Sequence, residues 1–229
     1  MKRIQFLGMI LMMAVSALSQ SIKTKKEVIE DYLPLLQASG YKAYSFDISE
    51  FLNDTYEITL KFNEYVDSLG LVDTFGMPVH NRKMLSAFSE ETQQRILKEG
   101  RAADPEKGIY SQSDKIMIGF FPTNTDSLYT LYLEVKDRQV IKWLLKLKGL
   151  VNPSNNQLEY HYTSRPFKMD KFEEGKFIPL VLFGSFWIDK EYGSFRFCGD
   201  NEMDPDMSTV QIEYSPHYFV IGVEIRKVK

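Results

Sequence analysis

Cysteine is nearly missing from this chain: Cys198 stands alone among 229 residues. An intrachain disulfide is therefore excluded, and the fold must be held by its apolar core. Histidine is scarce as well. His80, His161 and His217 are the three present, and none lies at zinc-ligand spacing from another or from the cysteine. The sequence has no Gly-rich loop to cradle a phosphate, so nucleotide binding lacks its usual backbone support. It also has no G-x-S-x-G nucleophile turn; Gly184-Ser185-Phe186 and Gly193-Ser194-Phe195 stop short of it. No cofactor signature is left, and none is expected. There is no basic excess either: 28 Lys and Arg face 31 Asp and Glu. Nucleic acid is not an expected partner, because phosphate binding needs a concentrated positive surface. The densest basic run, Lys142, Lys146 and Lys148, reads as a solvated face.

What is present begins with an address. Lys2 and Arg3 precede an apolar run from Ile4 to Leu18, and small residues Ala17 and Ser19 prepare a cut before Gln20. This is the layout of a secretory signal peptide. The run is shorter than the roughly 18–20 residues that cross a bilayer, so no transmembrane anchor is expected. The expectation is a cleaved segment 1–19 and an exported body of one domain, 20–229, placed in the periplasm, on the cell surface or outside the cell. With 44% hydrophobic and 14% aromatic residues, such a body can bury a core without staples.

Val28, Ile29, Tyr32, Leu33 and Leu36 recur at helical spacing, with Gly40 as a stop; Pro34 removes one backbone donor, so a kink or break is expected near Glu30 to Leu33. The period then changes to two. Tyr56, Ile58, Leu60 and Phe62 alternate with polar residues as in a strand with one wet face. Residues 69–110 are the least regular. Within them, Ser89 is placed to cap a surface helix over 90–99, and Asp104-Pro105-Glu106-Lys107-Gly108 is a turn. From Lys115 onward, strands over 115–121, 128–135, 139–151 and 158–163 are separated by short turns. The third also carries a helical stripe; its flanking hairpins favour the strand. Residues 177–188 are apolar on both alternate faces, as in a strand covered on both sides. Strands over 194–198, 209–214 and 218–227 close the chain. The expected fold is α+β: an N-terminal helix followed by a large, mostly antiparallel, meandering β-sheet.

Candidate chemistry is sparse. Tyr129, Tyr132, Tyr160 and Tyr162 are the aromatics best placed for a wet, ligand-facing surface, with His161 between the last two; Trp143 and Trp187 lie in apolar segments that favour burial. His217 follows Pro216 in a turn and reads as solvated. Asp200, Glu202, Asp204 and Asp206 supply hard oxygens for a weak calcium site, but Pro205 stands where a calcium loop needs glycine and Gln211 where it needs a bidentate glutamate. Cys198, in the alternating run Ser194–Gly199, reads as packing rather than a nucleophile. Asp73-Thr74-Phe75-Gly76 is interrupted relative to the D-T-G loop of aspartic proteases and has no second copy.

The leader ending Ser16-Ala17-Leu18-Ser19-Gln20, the helix beginning near Lys23 and the closing strand Tyr218–Ile225 resemble the uncharacterised exported proteins common in Bacteroidetes. The resemblance implies no catalytic residue. It does imply that Asp67-Ser68-Leu69 and Asp126-Ser127-Leu128 are similar to the short O-glycosylation motif of that phylum. The functional expectation is an exported binding or accessory module of the cell envelope, with a glycan, a peptide or an envelope protein as partner. The alternative is a secreted hydrolase of glycan or peptide polymers, which requires convergent carboxylates or Cys198 beside a histidine.

Overall fold

Period-two alternation carries a large share of the described residues into strands. The computed structural model describes residues 28–67, 69–168 and 172–228. The expected leader 1–19 and the helix start near Lys23 lie outside the described residues. The chain divides into two units at Leu35 and Leu36, and every strand belongs to the second.

Helix α1 (Ile29–Ala38) runs without a break through Glu30–Leu33 and Pro34. Strands β1 (Lys42–Asp47), β2 (Tyr56–Val66) and β3 (Gly70–His80) follow it. Two short strands, β4 (Arg82–Met84) and β5 (Ile109–Gln112), pair across helix α2 (Glu90–Lys98). Next come β6 (Lys115–Pro122), β7 (Leu128–Val135) and β8 (Gln139–Lys146). A hairpin of β9 (Leu150–Val151) and β10 (Leu158–Glu159) leads to β11 (Tyr162–Pro166) and β12 (Phe177–Ser185). A second hairpin, β13 (Trp187–Asp189) and β14 (Ser194–Arg196), precedes the short helix α3 (Val210–Tyr214) and the last strand, β15 (His217–Lys227).

The result is mostly antiparallel β-sheet with few helices, and not one meandering sheet. Strands order as β1-β6-β7-β8 in a four-stranded sheet and β11-β12-β15-β2-β3 in a five-stranded one. The two lie face to face over one core. Ile116, Phe120, Leu131 and Leu145 from the first sheet meet Leu60, Phe183, Phe219 and Ile221 from the second. Phe120 stacks on Phe183 with ring centroids 4.5 Å apart, which joins the sheets at their centre. Each such buried side chain contributes about 1.5–3 kcal/mol of apolar transfer.

Four local expectations need correction. Residues 70–80, read as irregular, form the long strand β3; Gly76 and Pro78 hide its pattern. It sits at the edge of its sheet, where proline costs no ladder bond. Residues 210–214, read as strand, are helical: the apolar spacing Val210, Ile212, Tyr214 fits a strand, but one helical turn ends when Ser215 donates back to the Gln211 carbonyl. The two-faced strand is real, but its parity slips. A bulge between Pro179 and Val181 turns Ile178 and Leu180 toward the sandwich core before it, and Val181 and Phe183 toward the same core after it. Its other face meets a second cluster, in which Leu182 and Val220 pack with Phe167, Met203 and Tyr218. Trp143 is 41% exposed because β8 is an edge strand; its ring leans on Phe62 and Phe75 at the sandwich margin.

Other local readings hold. Ser89 caps α2 by accepting from the Thr92 amide at 3.4 Å, with Ile96 buried and Leu97 exposed. Residues 139–146 are strand, with Ile141 and Leu145 inside and Lys142 and Lys146 outside.

Candidate functional site

Two loops at one end of the sandwich border a cleft with a volume of about 530 Å³. One wall is the β6–β7 loop. There the single proton of the Thr123 hydroxyl is shared between the carbonyls of Thr125 (2.9 Å) and Leu128 (3.0 Å), and its oxygen accepts from the Thr125 amide at 3.1 Å. This fixes a tight loop whose outer residues are Thr125 and Asp126. The other wall is the β9–β10 hairpin and the residues after it, Gln157 to His161. Its turn is built by asparagines. The Asn152 side-chain oxygen accepts from the Ser154 amide and that of Asn155 from the Gln157 amide, both at 2.9 Å. Asn156 takes a left-handed φ of 57°, which asparagine tolerates. Gly149 is required beneath this wall, since a Cβ there would lie 2.7 Å from the Leu158 side chain.

The same asparagines hold Glu159. Its Oε1 accepts from the Asn152 and Asn155 amides at 2.8 and 3.1 Å, and its Oε2 meets His161 Nε2 at 2.7 Å. Hydrogen bonding to His161 first, and then to the two asparagines, draws the carboxyl down to about 2. Glu159 is thus a fixed, ionised acceptor at the rim. His161 is held from the other side by Phe195, with ring centroids 4.4 Å apart. Tyr129 and Tyr160 complete the lining; both are half-buried and pack on the core. Burial pushes the Tyr129 phenol up, and its hydroxyl donates to the Gly40 carbonyl at 3.4 Å.

Of the aromatic candidates, then, Tyr129, Tyr160 and His161 converge on one cleft. Tyr132 does not: it lies on the outer face of its sheet, its hydroxyl donating to Glu134 Oε2 at 2.6 Å. Tyr162 turns into the sandwich, against Phe183. Gln157 and Glu159 went unnoticed in the sequence, and Asp126 stood out only as part of Asp126-Ser127-Leu128. The signal for Glu159 lay in the asparagine-rich turn before it, which supplies side-chain donors as well as turn geometry.

Beside the cleft runs a polar row across the five-stranded sheet. His217 is 1% exposed, not solvated. Its Nε2 donates to Glu64 Oε1 at 2.8 Å, and its Nδ1 accepts from the Tyr162 hydroxyl. That hydroxyl in turn accepts from the Lys148 amide at 3.0 Å. These partners select the neutral Nε2–H tautomer. Burial lowers the His217 pKa, and the Glu64 hydrogen bond only partly opposes it. Burial also raises the Tyr162 phenol well above its ordinary value. A phenol made less acidic is the reverse of an activated nucleophile. The row is a satisfied structural network that locks β11, β15 and β2 at the cleft end. Ser185 joins it by accepting from the His217 amide at 3.3 Å.

The acidic loop does not converge. Asp204 pairs with Lys168 at 2.7 Å, and Asp206 accepts from the Ser208 amide and hydroxyl. Among the described residues no group of three or more His, Cys, Asp or Glu side chains could hold a metal ion. Cys198 is exposed, because β14 ends at Arg196 and leaves it in the loop that follows. Ser127 lies in the β6–β7 turn, half-buried, its carbonyl accepting from the Leu147 amide; Ser68 lies outside the described residues. Among the described residues no helix is long and apolar enough to cross a membrane.

The family model for a domain of unknown function, DUF5041, matches residues 11–227. The chain belongs to that family. The match spans every strand of both sheets, so the cleft and the polar row both lie within the DUF5041 domain. No curated protein and no solved structure matches the chain.

Proposed function

We propose that this DUF5041 chain is an exported binding module of the cell envelope that holds a hydroxyl-rich ligand, a glycan, in the cleft between the β6–β7 loop and the β9–β10 hairpin. The single observation that carries the reading is the lining. Tyr129, Tyr160 and His161 offer ring faces, while Thr123, Thr125, Asp126, Gln157 and Glu159 surround them with hydrogen-bonding groups. A sugar presents both an apolar C–H face and a fringe of hydroxyls, and such a surface complements the two together. Fixed acceptors suit the role: Glu159 is oriented before a ligand arrives, so little ordering is lost on binding.

The hydrolase alternative needs a carboxylic acid that keeps its proton near neutrality. Glu159, one of the two carboxylates in the cleft, is pulled to about 2 instead. That favours recognition over bond cleavage. Isothermal titration against a panel of soluble oligosaccharides tests the proposal. A saturable heat for one of them, lost in Tyr160→Ala and retained in Tyr132→Ala, is the expected result. Flat titrations across the panel, or reducing-end release on incubation, would overturn it. N-terminal sequencing of protein from the native host tests export separately: the chain should begin at Gln20.

A further inference from the structure

The four-stranded sheet ends in β8, and among the described residues no strand pairs with its outer edge. The register fixes which backbone groups face that edge. β7 and β8 pair antiparallel with Leu131 opposite Trp143, and just past the strand the Leu147 amide donates to the Ser127 carbonyl at 2.9 Å. In an antiparallel ladder the bonded pairs recur at every second residue. Ile141, Trp143 and Leu145 therefore direct their amides and carbonyls at β7, while those of Lys142, Leu144 and Lys146 point away from the sheet. The open stretch has two limits. The Val140 carbonyl accepts from the Gln139 side chain at 3.2 Å, and the Lys148 amide donates to the Tyr162 hydroxyl at 3.0 Å. Between them lies room for one short strand.

The side chains beside these groups decide what such a strand must carry. Lys142, Leu144 and Lys146 are exposed on the outer face of the sheet, in the order charged, apolar, charged. Neither lysine makes an ion pair among the described residues. Glu134, which stands opposite Val140 on that face, accepts from the Tyr132 hydroxyl instead. Lysine on an edge strand discourages pairing with a second copy of the same strand. It favours a strand with acids at the facing positions, because opposite charges directly across a ladder stabilise it and like charges do the reverse. On the inner face Trp143 remains 41% exposed against Phe62 and Phe75, an apolar surface that a further strand would cover. We propose that β8 is a docking edge, independent of the polar cleft. An extended acidic segment of another protein adds antiparallel to it as a fifth strand, with acids opposite Lys142 and Lys146 and an apolar residue opposite Trp143.

The peptide Thr-Glu-Val-Thr-Val-Glu-Thr, capped at both ends and titrated into the whole chain, tests this through the emission of Trp143. Trp187, the other tryptophan, is 9% exposed and should change little. The emission should move to the blue along a saturable one-site curve. The same peptide with lysine in place of glutamate should bind about tenfold more weakly, as two exposed pairs turned from attraction to repulsion would give. The double variant Lys142→Glu with Lys146→Glu changes two exposed side chains and should invert that order. N-methylation of the central threonine removes a donor that faces β8 and should abolish binding at unchanged charge. Full binding of the methylated peptide, an unchanged order in the double variant, or no saturable shift with the parent peptide would overturn the proposal. So would a dimer in sedimentation equilibrium that Leu144→Glu dissociates, since the edge would then belong to a second copy of the chain.

Discussion

Ile116 near the start of β6 and Pro122 at its end stand six residues apart, about 20 Å of strand. The first floors an apolar slot and the second borders a polar cleft. The slot is made by side chains that strand alternation already points inward, and it exists because the two sheets do not quite close over Phe46 and Ile178. The cleft is made by loops, and its chemistry rests on a threonine that ties its own loop and on two asparagines bonded to a carboxylate. Perturbation should therefore act differently at the two ends. Change at the slot end removes core packing and costs global stability. Change at the cleft end removes a rim group and costs recognition, except where it touches the buried row of Tyr162, His217 and Glu64.

The sharpest way to break this contrast is Leu180→Ala. It deletes a 2% exposed side chain at the slot floor and should cost about 2–5 kcal/mol in urea unfolding. A loss under 1 kcal/mol would mean that the slot end is not continuous with the core. Next in size is pH. His217 is neutral in the fold with a pKa below its ordinary 6.5, so below that value the unfolded chain takes up the proton first. Stability is then full above pH 6.5 and falls as pH drops toward the folded pKa, by at most about 1.4 kcal/mol per pH unit for one proton. Denaturation midpoints across pH 4–8 should show that fall, and His217→Gln should flatten it. Tyr162→Phe leaves His217 Nδ1 and the Lys148 amide without their partner and should cost about 1–2 kcal/mol, measured in the same unfolding assay. Smallest is Thr125→Ala on the cleft rim, which should stay within about 0.5 kcal/mol of wild type, because its recorded loop bonds are made by its backbone. Carboxyl NMR sharpens the cleft side without unfolding: Glu159 should titrate near 2, and Asn152→Ala should raise its midpoint.

Strands β2, β6, β7 and β15 and the capped helix α2 were legible because each carries a local pattern with its own mechanism: alternation, or a cap with acids in the first turn. β3 was not, because Gly76 and Pro78 interrupt alternation on a strand whose edge position makes them harmless. His217 was misread for a related reason. Proline before it signals a turn, but burial depends on Tyr162 and Glu64, which are 55 and 153 residues away in sequence. The cleft was half legible. Tyr129, Tyr160 and His161 stood out as aromatics near polar turns, while Tyr132 and Tyr162, equally plausible by pattern, are turned elsewhere by the register of their strands.

By itself, the sequence determined that no disulfide could brace this chain, that its apolar residues alternate, and where most of its turns fall; these follow from covalent chemistry and from periods of two that any short segment displays. Only the tertiary structure decided that the strands divide into two facing sheets, that a bulge after Pro179 keeps both Leu180 and Val181 in one core, and that two distant loops enclose a cleft. Those outcomes depend on which strands pair and in what register, and pairing is settled by contacts between residues far apart along the chain.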